Sequence, residues 1–282
     1  MLIVAFILSL IMFSFLFHLR RKTRKKVFRN MAVSYMLLFG SLCIGVGTYL
    51  IYNFNFLSIT NNISQDYSIE IPGIKRNNLI KKNNIAHQFK APVIRQYPEL
   101  PRGCEVTSIA MLLQYHDIDV NKMEVAEKVK KSETPYHNKN GVIHFGDPNV
   151  GFVGDMYNIE NPGYGVYHKP LFDLTKKYVG EKAIDISGQS FENVIKLVAK
   201  GKPVVVITNL TYNVLPNDSF TTWETPNGTI DITKKLHAVL VTGFDSQSVY
   251  FNDPYDGRQK KAPKQEFVAA WEQLGSQAIS IK

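Results

Sequence analysis

Two long apolar runs near the N-terminus constrain this chain more than any other feature. Met1 to Phe17 is almost wholly apolar, and Met31 to Tyr52 is a second run of about the same kind. Each approaches the roughly 17–25 residues that a helix needs to cross a bilayer. No basic residue precedes Leu2, which argues against a secretory signal peptide in the first run. Residues 1–18 and 31–52 therefore read as two transmembrane helices. The loop between them, residues 19–30, carries Arg20, Arg21, Lys22, Arg24, Lys25, Lys26 and Arg29. By the positive-inside rule that loop stays in the cytoplasm, so a two-pass cell-membrane protein with everything after Tyr52 outside is expected.

The formal net charge of +9 follows from the same loop. Seven of the 33 Lys and Arg lie there, leaving 26 basic against 24 acidic residues in the remainder. The charge thus describes topology rather than a polyanion-binding surface, and no nucleic-acid partner is expected.

Residues 53–87 are rich in Asn, Ser and Lys with no sustained period, as in a stem outside the membrane. Residues 88–282 suffice for one domain with its own core. There Val106, Ile109, Ala110, Leu112 and Leu113 predict a largely buried helix over Glu105–Tyr115. Asn121 with Glu124 three residues on predicts a capped helix through Lys131. The stretch from Ser132 to Gly165 reads as a long ordered loop, and further helices are expected over Lys169–Tyr178 and Ser190–Lys200. Then the period changes. Strands are predicted at Pro203–Thr208, Leu236–Thr242 and Val249–Asn252, then a helix near Lys264–Leu274 and a strand at Gln277–Ile281. Helices first and strands second imply an α+β domain with an antiparallel sheet packed on a buried helix.

The chain has two cysteines. Cys43 lies in the second apolar run, where a buried hydrophobe is its ordinary role. Cys104 has no partner for a disulfide in the outer domain and stands directly before the buried helix, at its N-terminus, after a turn favoured by Pro101 and Gly103. A helix N-terminus favours an anion, which would make a thiolate near neutral pH. A thiolate nucleophile needs a base. Among the outer histidines only His237 lies on an apolar strand, although a strand histidine is more often a satisfied core residue. If the next strand places Asp253 opposite Val239, Asp253 shares the face of His237 and can orient it. A one-residue slip would leave Asn252 as the better orienter. Asp245 and Asp256 suit turns instead.

Cys, then His, then Asp, on helix, strand and strand, is a papain-like order. The blocks QYPELPRGCEVTSIAMLL, GDPNVGFVGDMYN, GYGVYHKP, LHAVLVTGFD and VYFNDPYDG resemble the bacterial cysteine peptidases that process bacteriocin leaders, and more closely their stand-alone, transporter-free branch. The resemblance implies a papain-like fold, a bacterial protein and no cofactor. It also implies Cys104 as nucleophile, His237 as base, Asp253 as orienter and Gln96 as the amide donor of an oxyanion hole. Gln96 stands eight residues before Cys104, further than in the transporter-linked peptidases, and Glu105-Val106 follows the cysteine where leader peptidases have Cys-Gly. The expected substrate is a peptide or a cell-wall amide.

Three other readings compete. His137, His144 and Asp147 lie close in sequence but lack zinc-ligand spacing. A papain-like domain could bind a peptide or wall polymer without turnover. An amidase or acyltransferase would use the same four residues.

Overall fold

The computed structural model describes residues 87–282 and, before them, eight helical positions: Met12, Ser14, Phe17, His18, Ser34, Tyr35, Phe39 and Gly40. The chain divides into two compact units, Met1–Leu79 and Ile80–Lys282. Among the described residues no helix is long and apolar enough to cross a membrane. This overturns the two-pass cell-membrane location read from the sequence. A span requires about 20 consecutive apolar residues in one helix, and the described positions of the two runs supply no such helix. Apart from those eight positions and His87, the expected spans, the basic loop and the stem lie outside the described residues.

The second unit alternates helix and strand. It opens with β1 (His87–Gln88), α1 (Cys104–Tyr115) and α2 (Lys122–Lys128). The hairpin β2 (His137–Lys139) and β3 (Val142–His144) precedes α3 (His168–Val179). Then come β4 (Ala183–Asp185), α4 (Phe191–Ala199) and β5 (Val204–Asn209). A second hairpin, β6 (Thr221–Thr225) and β7 (Gly228–Ile232), leads to β8 (Leu236–Phe244), β9 (Ser248–Asp253) and β10 (Arg258–Pro263). The chain closes with α5 (Lys264–Gln273) and β11 (Ala278–Ile281).

The main sheet runs β10-β9-β8-β5-β11-β4, antiparallel at every step, and β1 pairs with the far end of β8. Strand β5 is buried along its whole length, and so is all of β8 except Leu236. Their near-continuous apolar sequences follow from helices covering both faces of the sheet. Alternation sorts the side chains. Val205, Ile207, Ala238 and Leu240 join the core formed with α1, α2 and α3, whereas Val204, Val206, Val239 and Val241 join Phe191, Val194, Phe267 and Trp271 of α4 and α5.

Helix α1 is buried from Cys104 through Leu113, so it has no solvent face over that stretch. Apart from Glu105, Thr107 and Ser108 its residues there are apolar, as in a core helix. Each buried aliphatic side chain there contributes roughly 1.5–3 kcal/mol. Helix α2 starts where Asn121 accepts hydrogen bonds from the N–H groups of Met123 and Glu124, but it ends at Lys128, earlier than Lys131.

The sequence reading missed a second sheet, β2-β3-β6-β7, in which β3 and β6 run parallel. Its strands β2 and β3 are three residues each, the first exposed and the second half-buried, too short for an apolar alternation to reveal them. It encloses a small core of Phe145, Val153, Trp223 and Ile232. Trp223 is therefore packed structure.

Candidate active site

Cys104 owes its position to the turn before α1. Gly103 donates its N–H to the Leu100 carbonyl at 3.0 Å. A Cβ on Gly103 would stand 2.5 Å from Leu100 Cβ, so the turn closes only with glycine there. The first residue of the helix is then Cys104, 7% exposed, and it is a free thiol. Helix α1 packs on β8 through its apolar side chains and also through hydrogen bonds. Ser108 Oγ donates to the Ala238 carbonyl at 3.2 Å, and the Ala238 N–H points at the Cys104 sulfur. Cys104 thus meets β8 at the residue beside His237.

His237 and Asp253 sit on adjacent antiparallel strands. The pair Leu240–Asn252 sets the register, and counting one step further puts Asp253 opposite Val239, with its side chain on the face of His237. His237 Nε2 lies 2.7 Å from Asp253 Oδ1, and both residues are essentially inaccessible to solvent. The contact occupies Nε2, so Nδ1 is the ring nitrogen not held by Asp253.

Asp253 carries four contacts. Oδ1 also accepts the Tyr255 N–H at 2.9 Å, and Oδ2 accepts from Tyr212 Oη at 2.5 Å and Lys260 Nζ at 2.6 Å. Burial pushes its carboxyl pKa up, but the His237, Lys260 and Tyr212 hydrogen bonds outweigh burial and hold it far below the usual carboxylate range. Tyr212 reaches Asp253 from a backbone with φ of 53°, a costly conformation for a bulky residue. Asn209 shapes that turn by accepting from Thr211 N at 2.9 Å. The rings of Tyr212 and Tyr255 flank His237, with centroids 6.2 and 6.3 Å away.

Gln96 is buried beside the same turn. Its Nε2 donates to the carbonyls of Leu100 at 3.2 Å and Pro101 at 3.0 Å, while Oε1 is buried without a partner. Its backbone N–H donates to the Pro254 carbonyl at 2.7 Å, which ties the approach to Cys104 to the end of β9. Lys122 Nζ pins the same segment through the Arg95 and Gln96 carbonyls and Glu99.

The thiol itself differs from the sequence expectation. Burial, and then the charge and hydrogen bond of Glu105, push its pKa well above the ordinary thiol value. The helix N-terminus does not prevail against burial, with the acid after the sulfur adding to it. Cys104 Sγ donates to Glu105 Oε2 at 3.3 Å. Glu105, Tyr212, Tyr255 and Lys260 were missed in the sequence. The offset of Glu105-Val106 from the leader peptidases was the one available signal.

The other named residues have structural tasks. Asp245 accepts from the Gln247 and Ser248 N–H groups in the β8–β9 turn, and Asp256 pairs with Lys260 at 3.0 Å. Asn252 points away from His237 and donates to the Ala91 and Pro92 carbonyls. His137 and His144 are cross-strand partners, while the oxygens of Asp147 are taken by Asn149 and Asn227. A cavity of about 600 Å³ opens elsewhere, lined by Tyr167, His168, Phe220, Asp231 and Gln277, and holds none of Cys104, His237, Asp253 and Gln96.

Known proteins resemble this chain in sequence and in fold. Residues 86–279 match the model of the Peptidase_C39 like family. The uncharacterised protein YvpB of Bacillus subtilis (strain 168) is 48% identical over 185 residues, which cover 66% of this chain and 71% of that protein. A crystal structure of a candidate C39-like peptidase from Bacillus anthracis superposes with a TM-score of 0.65 at 49% identity, covering 70% of this chain and 97% of that one.

Proposed function

The chain belongs to the Peptidase_C39 like family, and from that premise we propose that it is a cysteine peptidase of papain-like type acting through Cys104, His237 and Asp253. The observation that carries the reading is the 2.7 Å contact from His237 Nε2 to Asp253, beside a thiol that touches the next residue of the same strand. Asp253 fixes the ring so that Nδ1 takes the Cys104 proton as sulfur attacks the peptide carbonyl. The imidazolium then protonates the leaving amine, and neutral His237 removes a proton from the water that cleaves the thioester. The Cys104 N–H, unpaired at the start of α1, would hold the developing oxyanion. Gln96 would join it once one Nε2 hydrogen leaves the Leu100 or Pro101 carbonyl.

One observation favours a second reading, a peptide-binding domain without turnover: the resting thiol is buried and held neutral. Incubating the protein with a mixture of unfolded peptides, followed by mass spectrometry, separates the two. We expect new termini that disappear in Cys104→Ala and His237→Ala. Peptide retention without cleavage, unchanged by Cys104→Ala, would establish the binding reading instead.

A further inference from the structure

Glu105 has no part in the triad, yet it is the side chain closest in chemistry to the sulfur. It is 1% exposed, and both oxygens are engaged. Oε1 accepts the Val166 N–H at 3.1 Å, and Oε2 accepts the Cys104 thiol at 3.3 Å. The fit is made from both sides. A Cβ on Gly165 would stand 2.3 Å from Oε1, so the strand-like segment before α3 reaches Glu105 only because residue 165 is glycine.

Such a burial is costly for a carboxylate unless a cation answers it, and none does. From its own helix Glu105 faces Cys104. From the segment before α3 it faces Tyr164 and Tyr167, whose hydroxyls bond each other at 3.1 Å, with Asp147 beyond Tyr167. From β8 comes the side chain of Leu236 against Gly165. Burial therefore dominates and raises the Glu105 pKa to about 7, against smaller opposing effects of its own N–H, the Val166 N–H and the thiol.

We propose that Glu105 is a positioning residue that sets the protonation of Cys104, holding the sulfur as a neutral thiol when charged and donating a hydrogen bond to the thiolate when neutral. The inference rests on Cys104 being the nucleophile. In the charged state the S–H bond points to Oε2, and a thiolate would meet a carboxylate in a dry site. When Glu105 takes up a proton from solvent, its O–H turns to the sulfur, and the thiol proton passes to His237 Nδ1. The site has then gained one proton, and it holds a thiolate between an acid donor and an imidazolium. Hydrogen bonds to an ionised partner are the stronger kind. Reactivity toward an electrophile accordingly gains from Glu105 protonation, opposite to the rise with pH of an ordinary thiol.

The test is the rate of Cys104 alkylation by iodoacetamide across about pH 5–9 in the full chain, comparing the native protein, Glu105→Gln and His237→Ala. Glutamine keeps the shape, removes the charge and supplies a permanent N–H donor. We expect Glu105→Gln to react roughly tenfold faster at pH 8, equivalent to about one unit of thiol pKa, with a flatter profile. Coincident native and Glu105→Gln profiles, with His237→Ala still different, would overturn this inference and leave the triad standing. Profiles indifferent to His237 as well would overturn both. Should Glu105→Gln not fold, the infrared band of a protonated buried carboxyl in the native protein decides. It should fade as pH rises through about 7, and its midpoint should move when Cys104 is alkylated. An unmoved midpoint would sink the coupling.

Discussion

His237 Nε2 and Asp253 Oδ1 stand 2.7 Å apart across two hairpin strands, and Lys260 Nζ reaches the other Asp253 oxygen at 2.6 Å. One carboxylate therefore orients an imidazole and neutralises a cation at once. Of these two neighbours Lys260 also has Asp256 at 3.0 Å.

Removing that carboxylate should cost stability as well as function. Asp253→Ala leaves His237 Nε2 and Tyr212 Oη without their acceptor, while Lys260, about a third exposed, can turn to water and to Asp256. We expect a loss of about 2–3 kcal/mol in urea unfolding, within the usual cost of stranding buried partners of a charged group. Asp253→Asn should lose less stability but slow peptide cleavage by roughly two to four orders of magnitude, by analogy with wrong-tautomer triads.

Acid should find the same residue. The folded pKa of Asp253 is depressed, so its contribution is fully present above the unfolded carboxyl value of about 3.9 and is lost as pH falls toward the folded value. Unfolding free energies measured between about pH 5 and pH 2 should drop for the native protein and fall less steeply for Asp253→Asn. Equal slopes would show that Asp253 is not held by its partners in the folded state.

Arg102, two residues before Cys104, organises the loop of residues 155–161. Its guanidinium donates to four carbonyls, those of Asp155, Asn158, Ile159 and Asn161, at 2.8–3.0 Å. A lysine ammonium keeps the charge but lacks the planar fork. Arg102→Lys should leave the main core intact and speed proteolytic cleavage within residues 155–161, read by limited digestion and mass spectrometry. An unchanged digestion pattern would mean that Asp155, whose carboxylate accepts from the Tyr157 and Asn158 N–H groups and from Asn161 Nδ2, holds the loop alone.

Gly165→Ala tests the seat of Glu105 directly. The added carbon meets Glu105 Oε1 at 2.3 Å and Leu236 Cδ2 at 2.8 Å. Overpacking of this kind typically costs about 1–3 kcal/mol, measurable by urea denaturation. A loss well under that range would show that the Val166 segment can yield without strain.

The elements with a strong periodic signal were legible. Helix α1, the Asn121 cap, and strands β5, β8 and β9 fall within a residue or two of their expected bounds, because burial imposes the pattern that the sequence displays. The geometry of Asp253 was legible only as a choice between two registers, and the Leu240–Asn252 pairing resolves it. Strand β10, RQKKAP, was invisible: it is an edge strand with polar side chains, held by backbone pairing to β9. Lys260 lies on it, so the third partner of Asp253 could not be foreseen. Tyr212 was hidden for another reason. A left-handed tyrosine in a turn is a cost imposed by tertiary structure, and no local propensity announces it.

The contact between Ser108 and Ala238 joins points 130 residues apart, and the thiol meets β8 at the same place. Synthesis at about 5–20 residues per second puts roughly ten seconds between the two segments. A half-made chain therefore carries the sulfur without the strand that holds His237. Until the C-terminal third emerges and its hairpin closes, the proposed nucleophile has no base. Completion of the proposed triad therefore waits on the last strands to be made.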